Sequence, residues 1–206
     1  YYHNKPTSYH LDYLLTSLVA YYYGNPLRYE VGHFFPALWV NYSPALTLML
    51  PKKIIVDDEP QNQYMLKSGS RLSERFFLRS VDGYHLFLLE IFQGKRRLKI
   101  TLHFQENTQP VGLLRVDYQG THQNPVECNE FVPNFAKPYA KQDIKENHIH
   151  FHVQGYKPLA WAIPLRISKF PVKEIMDMDS FISALEAFQR VIHLDTKFLY
   201  EGRLFL

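Results

Sequence analysis

The sequence predicts an α+β domain: a curved antiparallel β-sheet meander packed by a C-terminal helix, with an additional N-terminal helical segment. Three observations carry that prediction. From Glu74 onward the hydrophobic period is two. Short turn signals such as Asp82-Gly83 and Gln93-Gly94 separate successive apolar runs, which favours antiparallel neighbours. A helical period returns near the C-terminus, where Phe181, Ile182, Leu185, Phe188, Val191 and Ile192 form one apolar stripe. The expected organisation is a Tyr-rich N-terminal segment over residues 1–50, an irregular lead-in over 51–73 and the main domain over 74–206.

The elements follow in order. Leu11, Leu14, Leu15, Leu18, Val19 and Tyr22 recur at helical spacing between a capping Thr7 or Ser8 and the stop signal Gly24-Asn25-Pro26. Residues 51–73 are polar and carry Asp57-Asp58-Glu59-Pro60, a breaker-rich run. Arg75–Ser80 and Tyr84–Phe92 read as strands, the second almost continuously apolar. Leu98–Gln105 alternates: Leu98, Ile100, Leu102 and Phe104 face one way, Lys99, Thr101, His103 and Gln105 the other. Such alternation marks a sheet with one buried and one wetter face. In Val111–Tyr118, Leu114, Val116 and Tyr118 share one side and Leu113, Arg115 and Asp117 the other. A long loop with Pro125, Pro133 and Pro138 leads to a strand over His148–Gln154 and a short extended piece over Trp161–Leu165. Asp177 or Asp179 caps the last helix.

Composition narrows the function classes. The chain has 206 residues with 46% hydrophobic and 21% charged side chains, enough to bury a core without a disulfide or metal staple. A net charge of +3 is mild for a dedicated nucleic-acid binder. The densest basic run, Lys95-Arg96-Arg97, falls in a hairpin turn, where a solvated turn and a phosphate-contacting rim are both open readings. The one cysteine, Cys128, forms no internal disulfide and has no flanking activator, which fits a reducing cytoplasm and an inert thiol. Leu11–Tyr23 is too short to span a bilayer, and Phe34–Leu50 is interrupted by Pro36, Asn41 and Pro44, so no membrane association is expected. The chain opens on Tyr1, so a trimmed or processed form is expected, with Met49 as an alternative start. Gly-rich phosphate loops, a Rossmann fingerprint, GxSxG, HExxH and paired CxxC motifs are absent from the sequence, and no cofactor is expected.

One polar cluster stands out. On the strand His148-Ile149-His150-Phe151-His152, Ile149 and Phe151 face the core, so the three histidines share the opposite side. If this strand pairs with Leu114–Tyr118, Arg115 and Asp117 lie beside them, and His122 enters from the connecting loop. Three readings are open. Two histidines titrating near neutral pH can act as base and acid on an RNA phosphodiester, with Arg115 gripping phosphate and Asp117 orienting an imidazole. Two imidazoles and Asp117 can converge on a metal ion. Or the residues form a structural polar network or a binding surface. The catalytic candidates are therefore His148, His150, Arg115, Asp117 and His122, with RNA or a partner protein as the expected partner.

Several ordered segments resemble a known family. Phe77-Leu78, Asp82-Gly83 and Tyr84-His85-Leu86-Phe87-Leu88-Leu89 match its early strands. Leu113-Leu114-Arg115-Val116-Asp117, followed by His122, Asn124 and Pro125, matches its centre. His148-Ile149-His150, Gly155-Tyr156 and Trp161-Ala162-Ile163-Pro164-Leu165 match its most recognisable stretch, and Glu201-Gly202-Arg203-Leu204-Phe205 its end. From about Met49 to Leu206 the chain resembles the uncharacterised bacterial and prophage proteins grouped as DUF6978. It departs from their pattern at Val126-Glu127, in the length of Cys128–Lys145 and at His152. The resemblance implies an accessory protein of a mobile element and, by analogy with toxin-type proteins, a metal-independent RNase-like toxin or defence factor. A non-catalytic protein-binding module is the alternative.

Overall fold

The computed structural model describes residues 47–67, 72–94 and 98–201. Its centre is an eight-stranded sheet. In chain order the strands are β1 (Lys53–Asp57), β2 (Glu59–Gln61), β3 (Gln63–Lys67), β4 (Ser73–Ser80), β5 (Leu86–Gln93), β6 (Ile100–Glu106), β7 (Val111–Asp117), β8 (His122–Gln123), β9 (Asp143–Ile144), β10 (His148–Phe151) and β11 (Trp161–Pro164), then helix α1 (Met178–Val191) and β12 (Lys197–Glu201). The main sheet runs β11-β10-β7-β6-β5-β4-β1-β2, and every pairing in it is antiparallel. Strands β4 to β7 are a meander, because each short turn returns the chain beside the strand it left. The connection from β7 to β10 is long, yet these two strands also pair.

The alternation sorts the two faces. Phe76, Leu78, Phe87, Leu89, Ile91, Ile100, Leu102, Phe104, Leu114, Val116, Ile149, Phe151, Trp161 and Ile163 belong to one buried cluster with Phe181, Leu185, Phe188 and Val191 of α1. The helix thus supplies the apolar cover for the inward face. Asp177 is its N-cap: the carboxylate accepts from Ser180 N at 2.8 Å, and Ser180 Oγ accepts from Asp177 N at 3.0 Å. Between Phe104 and Gln105 the β6–β7 register shifts, leaving Leu113 as an extra residue on β7.

The stretch expected as an irregular lead-in is instead built of strands. Lys53–Asp57 pairs with β4, and Gln63–Lys67 pairs in parallel with β12. The breaker run Asp57-Asp58-Glu59-Pro60 is the turn of a tight hairpin between β1 and β2, with Asp58 at φ 58°. Aspartate tolerates the left-handed region, so a run that reads as loop chemistry closes a hairpin here. The N-terminal helix expected over Leu11–Tyr22 and the basic turn Lys95–Arg97 lie outside the described residues. No helix among the described residues is long and apolar enough to cross a membrane.

Candidate functional site

The register of β7 and β10 assembles the site. His148 stands opposite Asp117 and His150 opposite Arg115. Cross-strand partners point to one face of a sheet, so the two imidazoles, the guanidinium and the carboxylate emerge together. On the other side of β7, Thr101 pairs with Asp117 and His103 with Arg115. Asp117 is the hub. Its Oδ1 accepts from Thr101 Oγ1 at 2.5 Å and from Arg115 Nη2 at 3.0 Å. Its Oδ2 faces His150 Nε2 at 3.0 Å and His148 Nε2 at 3.5 Å. Arg115 Nε lies 2.8 Å from Oδ2, but out of line for a hydrogen bond.

This face is not open to solvent at the histidines. His148 is 0% exposed and both Asp117 and His150 are 4% exposed. The loop between β7 and β10 folds back over them. Its β8 and β9 pair with each other, and Asn124 fastens it to the edge strand: Asn124 Nδ2 donates to Ala162 O at 2.8 Å and to Tyr139 O at 3.0 Å, and Oδ1 accepts from Ala162 N at 2.8 Å. Gly120 lies against the hub so closely that a Cβ there would sit 2.9 Å from Asp117 Cβ and 3.0 Å from His148 Cε1. Only Arg115 reaches outward, with 41% of its side chain exposed.

The imidazole tautomers are fixed by backbone carbonyls. His148 Nδ1 donates to Glu146 O at 2.7 Å and His150 Nδ1 to Leu159 O at 3.0 Å. Leu159 adopts φ 56°, a left-handed conformation for a branched residue, and that turn brings its carbonyl to the ring. A neutral imidazole has one N–H. With that proton on Nδ1, each Nε2 presents a lone pair toward Asp117 Oδ2; a second proton on His150 would instead make its Nε2 donate to Oδ2, at 3.0 Å. Two nitrogens and one oxygen, all acceptors, then converge, and the three ligand atoms lie within 4.8 Å of one another. Such an arrangement is electrostatically favourable only beside positive charge: the Arg115 guanidinium supplies one, with Nε 2.8 Å from Oδ2, and a proton on an imidazole or a metal cation would supply another.

The titration behaviour follows from the same contacts. Burial alone would raise the Asp117 carboxyl, but the His148 and His150 imidazoles, Arg115 and Thr101 outweigh it and hold the group well below the usual carboxylate range. Burial pulls the His150 ring below its ordinary value, and Asp117 only partly compensates. Burial also lowers His122, with His150 adding to the effect.

The fold therefore brings Arg115, Asp117, His148 and His150 into direct contact. His122 is beside them but engaged elsewhere. Its ring centroid is 4.5 Å from that of His150 and 6.0 Å from that of His148, while its Nε2 donates to Ala160 O at 2.9 Å. His152 follows the last paired residue of β10 and lies outside the three-ligand cluster. Sequence reasoning missed Thr101, Gly120, Asn124 and the carbonyl of Leu159. Thr101 was detectable, since the alternation of its strand already places it on the polar face. The backbone carbonyl carries no sequence signal.

Comparison with known proteins is consistent with this layout but names no activity. No curated protein and no solved structure matches the chain. A family model described as "Family of unknown function (DUF6978)" matches residues 44–194, which takes in both site strands and the covering loop and stops short of the C-terminal segment from Glu201. The matched region is well over half of the chain, and the protein belongs to the DUF6978 family.

Proposed function

We propose that this domain is a metalloprotein in which Asp117 Oδ2, His148 Nε2 and His150 Nε2 bind one divalent cation of the zinc class. The observation that carries the reading is the pair of Nδ1–H donations to Glu146 O and Leu159 O, which turn both Nε2 lone pairs onto the same carboxylate oxygen. Metal-bound histidines are oriented in this way by their second nitrogen. Spacing supports it too. Bonds of about 2.0–2.1 Å at tetrahedral angles set ligand atoms roughly 3.3 Å apart, and the Oδ2–Nε2 separations are 3.0 and 3.5 Å. Oδ1 accepts the hydrogen bonds from Thr101 and Arg115, while Oδ2, with Arg115 Nε 2.8 Å away but out of line for a hydrogen bond, keeps lone-pair capacity for the ion. Three protein ligands leave a fourth position for water, the ligand count of hydrolytic rather than purely structural zinc. Metal-free acid–base cleavage of RNA is less well supported, because both rings are closed off from a bulky substrate and each Nδ1 is tied to backbone.

The test is a titration of chelator-treated protein with Zn²⁺ by calorimetry and with Co²⁺ by visible absorption. One saturable site with the intense bands of four-coordinate cobalt is expected. His148→Ala or His150→Ala should weaken binding by more than the roughly 10–100-fold that loss of an outer partner costs. Wild-type protein without saturable binding, or a His148→Ala/His150→Ala variant that binds as tightly as wild type, overturns the reading.

A further inference from the structure

We infer that Arg115 is the resident counter-charge of this cluster and the gate to it: a divalent cation enters by exchange, as the guanidinium swings out to solvent, an inference that rests on the metal reading above. Among the described residues the permanent cation paired with the Asp117 carboxylate is Arg115. Its Nη2 donates to Oδ1 at 3.0 Å, and its Nε stands 2.8 Å from Oδ2, the oxygen assigned to the ion. The guanidinium therefore sits where it opposes a metal directly. Like charges at that range repel strongly where burial keeps water away. With the guanidinium in place, a divalent ion between neutral imidazoles leaves two units of uncompensated charge among buried groups. With the guanidinium outside, it leaves one.

Three features prepare the exchange. The guanidinium has somewhere to go, since 41% of its side chain is exposed while Asp117, His148 and His150 are buried. It is also imperfectly seated. Its Nε–H is buried and out of line with Oδ2, and finds no acceptor among the described residues. A buried donor without a partner is costly, and movement outward returns it to water. Finally, Asp117 does not depend on Arg115 for its orientation. Thr101 Oγ1 donates to Oδ1 at 2.5 Å from the paired strand β6, so the carboxylate stays aimed when the guanidinium leaves. The covering loop closes the side of Gly120, where even a Cβ would come within 2.9 Å of Asp117 Cβ. The outward route from Oδ2 then runs past the guanidinium, and one side chain can open it without displacing a strand or the loop.

The test reads the full-length, chelator-treated protein in two ways. The first is Co²⁺ binding by visible absorption, with stopped-flow mixing for the association rate. Arg115→Met removes the charge and keeps an apolar stem, and should bind Co²⁺ faster and about 10–100-fold more tightly, the like-charge repulsion discounted for the exposed part of the side chain. Arg115→Lys keeps the charge and should lie nearer to wild type in affinity. A side chain that merely props the site would weaken binding on removal, which is the opposite sign. The second readout uses the unsubstituted protein: exchange of the Arg115 Nε–H with water, followed by heteronuclear NMR, should accelerate on saturation with Zn²⁺. Cobalt affinity in Arg115→Met equal to or weaker than wild type, or an Nε–H whose exchange Zn²⁺ leaves unchanged, overturns the exchange while leaving the metal reading intact. Wild-type protein without saturable cobalt binding overturns both.

Discussion

Replacing Asp117 by alanine tests how much of the domain's stability resides in this one carboxylate. The variant strands Thr101 Oγ1, which donates at 2.5 Å, and Arg115 Nη2, which donates at 3.0 Å. Hydrogen bonds to a charged group contribute about 1.5–3 kcal/mol each, and removing one member of a buried pair costs about 3–5 kcal/mol. Arg115 recovers part of its solvation through the exposed 41% of its side chain, which lowers the expected loss to about 2–4 kcal/mol. The loss has a defined pH dependence. The folded Asp117 carboxyl titrates well below its unfolded value of about 3.9, so in acid the unfolded chain binds more protons than the folded one. The stabilisation is therefore complete above roughly pH 5 and is lost as the pH falls below about 4. The assay is urea denaturation of wild type and Asp117→Ala in the presence of a chelator, at neutral pH and at several acidic values. A difference under about 1 kcal/mol at neutral pH, or one that does not shrink in acid, refutes the account of Asp117 as the charged hub.

Three other perturbations follow from the same coordinates. Gly120→Ala places a Cβ 2.9 Å from Asp117 Cβ and 3.0 Å from His148 Cε1, and should cost about 1–3 kcal/mol in urea midpoint analysis while also weakening Zn²⁺ binding in calorimetry. Asn124→Ala removes bonds to Ala162 N, Ala162 O and Tyr139 O; about 2–4 kcal/mol should be lost, with faster amide exchange at Ala162. Lys53 is buried, its Nζ donating to Met49 O at 2.9 Å and Pro51 O at 2.6 Å and lying 4.9 Å from the Phe87 ring centroid, and burial pulls its pKa well below the ordinary lysine value. The unfolded chain then holds that proton at alkaline pH more readily than the folded one. Stability should rise with pH up to about 10.4, and Lys53→Met should abolish that rise in urea midpoints measured across the alkaline range.

The sheet was legible because its strands obey period two. The pattern Ile100, Leu102, Phe104 against Thr101, His103, Gln105 fixed both faces of β6, and the continuation through Leu114 and Val116 fixed those of β7. The alternation of Ile149 and Phe151 with His148 and His150 placed the imidazoles on the polar side, and the observed register puts Asp117 and Arg115 directly across from them. The hairpin of β1 and β2 was not legible, since Asp58 accepts a left-handed backbone that composition reads as loop. The pairing of β12 with β3 was also beyond reach. Parallel pairing across more than a hundred residues of intervening chain leaves no local turn signal.

The burial of the histidines was the larger omission, and its cause lies in the covering loop. An outward strand face is solvated only when nothing returns over it, and a loop that returns must satisfy its own backbone polar groups. Here side chains of the site serve backbone groups of that loop, of the β10–β11 connection beside it and of the edge strand β11. His122 serves Ala160 O, His148 serves Glu146 O, His150 serves Leu159 O, and Asn124 serves Tyr139 O and both backbone groups of Ala162. The bonds that fix the tautomers therefore also tie down the two connections that flank β10: His148 to Glu146 O in the covering loop and His150 to Leu159 O before β11. A substitution at His150 that spares its Nε2 chemistry but loses the donation to Leu159 O would loosen the β10–β11 connection and misorient the ring together. The stability of the β10–β11 connection and the orientation of the His150 ring are thus one variable, and a change that reorients the ring without altering amide exchange in residues 157–162 would show that they are separable.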